Sequence, residues 1–197
     1  MEKFLLNIVK MLTSRGFLIK EKMQDNLNNL KSQINEEKIF KIKSNNSDKY
    51  YYIMFVYGKL TTIKKIQGLD NFLQISKGHN RIFISDSINQ KAYKQFIELN
   101  NTEVFFDYEL KMCILEHDLQ PEFQLLTEEE IEVFMDEYQL TKKQLSKMKS
   151  IDPIARYFNA KGGNICRILR ASTSSGIGIH YRMVIDSNTS EIFENKK

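Results

Sequence analysis

Phe4, Leu5, Ile8, Val9 and Leu12 fall on one face of a helix, and Gly16 supplies a natural stop just beyond it. After an extended piece at Phe17–Ile19, helical spacing returns through Met23, Leu27, Leu30 and Ile34. Phe40 and Ile42 then alternate with Lys41 and Lys43, the period of a half-exposed strand. Ser44–Asp48 reads as a turn, and Tyr50–Tyr57, rich in β-branched and aromatic residues, reads as a second strand. Ile63, Ile66 and Leu73 predict a helix over Thr61–Ser76 that ends at Gly78. Arg81–Ile84 is expected as a short buried strand, Ser85–Asn100 as a helix capped by Asp86 or Ser87, and Val104–Phe106 as a further strand. The order β-β-α-β-α-β argues for a sheet layered by helices.

A second unit follows near Pro121. Thr127 with Glu130 has capping-box spacing, and Thr141 with Gln144 repeats it. Asp152-Pro153 is a cap followed by proline at the first helical position, so a short helix is expected over Ile154–Phe158. Gly162-Gly163 breaks the chain, after which Ile165–Leu169 and Ile177–Ile185 pair as a hairpin through Ser172–Gly176. The polar tail 186–197 is expected to fray. The fold class is α/β (α+β), with units expected at 1–116 and 117–197.

Composition changes this picture little. With 197 residues, 42% hydrophobic and 27% charged, the chain can bury a sizeable core and is not disordered as a whole. Its purely apolar runs, such as Ile53–Val56, are too short for a transmembrane helix, and Met1–Val9 lacks the pattern of a signal peptide. Cys113 and Cys166 make neither a disulfide framework nor a ligand set and read as reduced, half-buried thiols.

Charge is more informative, because it is laid out in blocks. Lys38–Lys65 holds seven lysines and one acid, for a net +6; Glu98–Glu137 holds thirteen acids and one lysine, for −12; Tyr138–Arg182 holds nine bases and one acid, for +8. Two basic regions flanking an acidic one do not present a single nucleic-acid face. Four of the six arginines, Arg156, Arg167, Arg170 and Arg182, lie in the last quarter, where a planar fork suits interface ion pairs.

Catalytic motifs are thin. His79, His117 and His180 have no second ligand at metal spacing and read as structural or exposed histidines. Ser174-Ser175-Gly176-Ile177-Gly178 lacks the lysine and following helix of a phosphate loop. Glu128-Glu129-Glu130 suits a helix N-terminus through the dipole alone. Tyr50, Tyr51, Tyr52 and Tyr57 are able to stack on bases, yet alternation puts about half of such a strand into the core. A nuclease would pair Asp48 with an acid-x-Lys, but that position is Tyr57-Gly58-Lys59, and tyrosine is no ligand for Mg²⁺. No catalytic residue, metal or cofactor is expected.

The runs His117-Asp118-Leu119-Gln120-Pro121, Asp152-Pro153-Ile154-Ala155-Arg156-Tyr157-Phe158 and Gly163-Asn164-Ile165-Cys166-Arg167-Ile168-Leu169-Arg170-Ala171-Ser172, closing with Tyr181-Arg182, resemble the assembly domain of the fifth-largest subunit of eukaryotic nuclear RNA polymerases. The same domain stands alone as a small separate subunit of the archaeal enzyme. The helix ending at Arg15-Gly16 and the α/β pattern after it resemble the family's N-terminal jaw.

The resemblance implies a nuclease-like α/β jaw domain, without nuclease chemistry, and a small two-layer α+β assembly domain. It implies a non-catalytic polymerase subunit whose assembly domain anchors to the largest subunit, beside neighbouring small subunits. The jaw then lies near downstream double-stranded DNA, bound without sequence preference. Asp152, Pro153, Arg156, Tyr157, Arg167, Arg170, Tyr181 and Arg182 become the expected subunit interface, and Lys41, Lys43, Lys59, Lys64 and Lys65 the expected DNA-proximal residues. No membrane partner and no homo-oligomer are expected. The Lys/Asn/Ile bias suggests a divergent source, such as a protist or a large DNA virus. The location is nuclear in the first case, and the virus factory or virion in the second. A free-standing DNA-binding protein built on a nuclease-like fold, or an adaptor that borrowed the assembly domain, are the alternatives. Three positions depart from the family pattern: Asn159 replaces a glycine, Lys161-Gly162-Gly163 replaces Lys-Arg-Gly, and Ala171 replaces a proline. Asparagine tolerates positive φ, so the turn at 159 is expected to survive.

Overall fold

The computed structural model describes residues 2–33, 39–45, 47–63, 66–172, 176–188 and 191–194. Ile34, Lys38, Lys64, Lys65, Ser174 and Ser175, singled out above, lie outside the described residues. The chain divides into two compact units, Met1–Cys113 and Ile114–Lys197. The second begins at Ile114 because Ile114 and Leu115 pack against the C-terminal core.

The first unit is built on a four-stranded sheet in the order β1 (Ile39–Lys43), β2 (Tyr50–Leu60), β3 (Asn80–Ile88), β4 (Thr102–Phe106). β1 is antiparallel to β2, whereas β2, β3 and β4 run parallel. Helix α1 (Glu2–Ser14) covers one face, with Phe4 edge-on to Phe55 at 6.3 Å. Helix α2 (Met23–Ser32) packs beside α1, burying Leu27 and Leu30. Helices α3 (Leu69–Ile75) and α4 (Gln90–Ile97) cover the other face, where Phe83 meets Phe72 at 5.1 Å and Phe96 at 4.4 Å. Covered on both sides, β2 is buried continuously from Tyr51 to Val56, and alternation disappears there. Each fully buried Phe of this core contributes roughly 1.5–3 kcal/mol.

Three expectations for this unit are corrected. Among the described residues of the helix expected over Thr61–Ser76, the α-helix runs from Leu69 to Ile75, entered through Gly68 at φ 77°. Ser85–Ile88 extend β3 rather than open α4, because β2 bulges between Val56 and Lys59 and continues to pair with Ser87 and Ile88. The cap of α4 is therefore Asn89, whose side chain accepts from Ala92 N at 2.8 Å, while Asp86 accepts from Gly58 N and Ser87 N. Helix α5 (Asp107–Leu110) then closes the unit, and Asn7 Nδ2 donates to Leu110 O at 2.8 Å in the interior.

The second unit holds a sheet in the order β5 (Glu122–Leu125), β7 (Ile165–Ser172), β8 (Gly176–Ile185), β6 (Ser146–Lys149). β7 and β8 form the expected hairpin; the edge strands β5 and β6 are additional to it. Helix α6 (Glu128–Glu137) is held by a complete capping box, Glu130 N to Thr127 Oγ1 at 3.2 Å and Thr127 N to Glu130 Oε2 at 2.8 Å. At Thr141 a 3-10 turn forms, Lys142–Gln144, with Gln144 Oε1 accepting from Thr141 N at 2.7 Å.

Helix α7 (Pro153–Tyr157) packs with Phe123, Met148, Cys166, Ile168 and Val184, while α6 packs with Ile165, Tyr181 and Met183. Side chains alternate along β7 and β8, so the two helices lie against opposite faces of the sheet. Part of the tail expected to fray is ordered: Glu191–Glu194 form a helical turn, α8, tied to β6 by Lys149 Nζ to Glu191 Oε2 at 2.6 Å.

Candidate functional site

The eight expected interface residues come from three elements and split between the two faces of the second sheet. Asp152 caps α7 by accepting from Ile154 N at 3.0 Å, and Pro153 follows at a position that needs no N–H. Arg156 is half-buried, and Tyr157 is buried. Arg170 and Arg182 share the α7 face, since they alternate with the same set as Cys166 and Ile168. Arg170 is exposed opposite Gly178; Arg182 lies opposite Cys166 and accepts the thiol at its carbonyl, 3.3 Å away.

Arg167 and Tyr181 pair across β7 and β8 on the α6 face. Arg167 donates from Nε to Gln124 Oε1 at 3.0 Å and from Nη2 to the same oxygen. Tyr181 stacks on Phe134 with ring centroids 4.0 Å apart. The α7 face thus carries Asp152, Arg156, Arg170 and Arg182, and the α6 face carries an aromatic pair with Arg167.

The two departures near α7 are accommodated locally. Asn159 adopts φ 52°, so the left-handed turn expected of asparagine forms. Gly162 donates to Asp186 Oδ1 at 3.2 Å, and a Cβ at this position would stand 2.5 Å from that carboxylate group. Asp186 therefore occupies space that a side chain at 162 would need. Cys166 is buried between Met148 and the Arg182 carbonyl, and burial pushes its thiol up to about 11, only partly offset by the Arg182 backbone.

Of the expected DNA-proximal lysines, the described ones, Lys41, Lys43 and Lys59, do not form one patch. Lys41 and Lys43 project from β1 beside Tyr50 and Tyr52, with Lys41 Nζ 4.2 Å from the Tyr50 ring centroid. Lys43 also bonds Asp48 at 2.9 Å, which raises its pKa and lowers that of Asp48, first through the hydrogen bond and then through charge. Lys59 lies at the other end of β2, nine residues beyond Tyr50, or about 30 Å along the strand. The same separation keeps Asp48 from Lys59, so the pair a metal-dependent nuclease would need is not assembled. No group of His, Cys, Asp or Glu able to hold a metal exists among the described residues. No described helix is long and apolar enough to cross a membrane.

Sequence reasoning missed the first unit's buried ion pair. Arg15 grips Glu103 with both prongs, and Tyr51 adds a third contact. Arg15 is recognisable in the sequence only as the residue before Gly16.

The family model described as RNA polymerase Rpb5, C-terminal domain, matches residues 112–184, which contain β5–β7, α6, α7 and all but the last residue of β8. The DNA-directed RNA polymerase subunit 5 of Acanthamoeba polyphaga mimivirus is 34% identical over 149 residues, covering 76% of this chain and 72% of the viral one. The chain belongs to the RNA polymerase subunit 5 family. Within it, subunit RPABC1 of polymerases I, II and III of Caenorhabditis elegans is 39% identical over 83 residues, or 42% of this chain and 39% of the nematode one. The archaeal subunit Rpo5 of Methanococcoides burtonii is 32% identical over 75 residues, which cover 96% of its own length.

Proposed function

We propose that this chain is a non-catalytic subunit of a multisubunit DNA-directed RNA polymerase. Its C-terminal unit docks on the largest subunit, beside neighbouring small subunits, and its N-terminal unit forms part of the lower jaw near downstream DNA. The observation that carries the reading is the reach of the viral match. It spans 149 residues, more than either unit contains, so it extends over both. The chain belongs to an enzyme complex, and the active site of that complex lies in other subunits.

The α7 face supports the docking role, because Arg156, Arg170 and Arg182 are half-buried or exposed there. The exposed lysines Lys41, Lys43 and Lys59 support contact with phosphates, which would be independent of sequence and weakened by salt. The viral match covers 76% of the chain against 42% for the nematode one, which favours a virus-encoded polymerase working in a virus factory or virion over a nuclear enzyme.

Native purification through a tag on this chain tests the proposal. Two very large polymerase subunits should be recovered in stoichiometric amount, and their sequences identify the enzyme as viral or host. Recovery of the chain alone, or with unrelated proteins, overturns it. Arg156→Ala with Arg170→Ala should weaken recovery of the largest subunit; unchanged recovery would refute the assigned interface.

A further inference from the structure

Helix α6 carries charge that its own stability does not explain. Six of its ten residues are acids. Glu128, Glu129 and Glu130 suit the first turn, but Asp136 and Glu137 stand in the last turn, where the helix dipole opposes negative charge and no basic residue balances them. Among the described residues, neither Glu129 nor Glu137 has a cation within ion-pair distance.

These carboxylates border a groove of about 320 Å³. Its floor is apolar, formed in part by Phe134 stacked on Tyr181, and Val133 lies at its lip, 67% exposed. Arg167 also lines it, oriented by its bonds to the neutral Gln124 amide, so its positive charge stands against three carboxylates, Glu129, Glu130 and Glu137, and the balance of the groove is negative. Phe134 is buried under the half-buried Tyr181 ring, so the groove offers a cation the accessible part of Tyr181 and the exposed carboxylates of Glu129 and Glu137, which attract it chiefly through charge. The groove repels nucleic acid, whose phosphates would meet Glu129 and Glu137.

We propose that this groove seats a lysine- or arginine-bearing segment of another protein. The cation lies beside Tyr181 between Glu129 and Glu137, and an apolar neighbour rests on Val133. For the identity of the partner, another protein of the polymerase assembly, this rests on the function proposed above; the chemistry of the groove does not.

The test places a photo-crosslinking residue at Val133 in the full chain, assembles it in the source cell, irradiates and sequences the crosslinked peptide. A peptide of another protein, with Lys or Arg beside the crosslinked position, is expected. Glu129→Lys with Glu137→Lys should reduce the yield about tenfold, and so should high salt. Both glutamates are exposed, and the dipole penalty of lysine at 129 is offset by the dipole gain of lysine at 137, so thermal unfolding of the double variant should stay close to that of the parent. Crosslinks to nucleic acid, to a second copy of this chain or to a segment without a basic residue overturn the proposal. So does an unchanged yield in the double variant, or no crosslink in a polymerase that otherwise purifies intact. If Val133 traps a basic segment while the large polymerase subunits fail to co-purify, the assembly role is wrong and the groove assignment stands.

Discussion

Arg15, at the end of α1, reaches Glu103 in the fourth strand of the first sheet and binds it through two parallel contacts, Nη1–Oε1 at 2.9 Å and Nη2–Oε2 at 2.7 Å. The side chains are 6% and 12% exposed, and the Tyr51 hydroxyl accepts from Nη1 at 3.2 Å. Burial disfavours the Arg15 charge, but Glu103 and then Tyr51 more than offset it and hold the guanidinium above its ordinary value. A buried, bidentate pair of this kind fixes where the helix ends against the sheet, and its geometry is over-determined by three side chains.

Breaking one half of that pair should be costly. Arg15→Met leaves the Glu103 carboxylate buried without its partner, a change expected to remove about 3–5 kcal/mol of stability. Arg15→Met with Glu103→Leu should recover most of the loss, because two apolar chains leave no orphaned charge. Urea denaturation of the three proteins checks this; a double variant no more stable than Arg15→Met would show that the pair is not what the single change disturbs.

Asn159 holds φ 52° in the turn after α7, a left-handed conformation that glycine adopts freely. Asn159→Gly should be within about 0.5 kcal/mol of the parent, since glycine reaches the same conformation without strain. Asn159→Val should cost about 1–2 kcal/mol, because a β-branched residue is disfavoured in the left-handed region. Thermal unfolding of the two variants separates these outcomes.

What the sequence reveals depends on how far apart the cooperating residues lie. Asp152-Pro153, Thr127 with Glu130, and Asn159 act on backbone within three residues of themselves, so their roles are readable locally. Strands β5 and β6 each bury one side chain, Phe123 and Met148, and four residues with a single fully buried position carry no detectable period. β3 reads short in the sequence because Ser85–Ile88 become strand only by pairing with the far side of the β2 bulge. Arg15 and Glu103 are 88 positions apart, and nothing local in either marks the ion pair. The same limit applies to the expected interface residues: motifs named them as candidates, but only the alternation of β7 and β8 divides them between two faces.

Lys41 and Lys43 stand together on β1, whereas Lys59 is at the opposite end of β2. If the first unit touches downstream DNA through one end of its sheet, the two groups should behave differently. Lys41→Gln with Lys43→Gln should lower the salt dependence of DNA retention by about one unit for each phosphate no longer neutralised, with Lys59→Gln changing it little, or the reverse. Retention measured on the assembled polymerase across a salt series is the check. An equal reduction from both would mean that DNA spans the length of the strand, and no reduction from either would remove these lysines from the DNA path.

Cys166 gives the protein a pH limit on the alkaline side. Its thiol lies against Met148 with no exposed surface, and burial raises its pKa from 9.0 to about 11. A thiol is neutral when protonated, so the native state favours the proton more than the unfolded chain does. The resulting stability is fully present below pH 9 and is lost as pH climbs from 9 towards 11, where the unfolded chain releases a proton that the native state retains. The loss should be on the order of 1–2 kcal/mol. Cys166→Ala should be less stable than the parent at pH 7, because it leaves a small cavity, and the difference should shrink as pH rises through that window. A stability difference that stays constant from pH 7 to pH 11 would mean that the thiol titrates alike in both states. Thiol-specific labelling gives an independent reading: at pH 8, modification of Cys166 should proceed only as fast as the C-terminal unit opens.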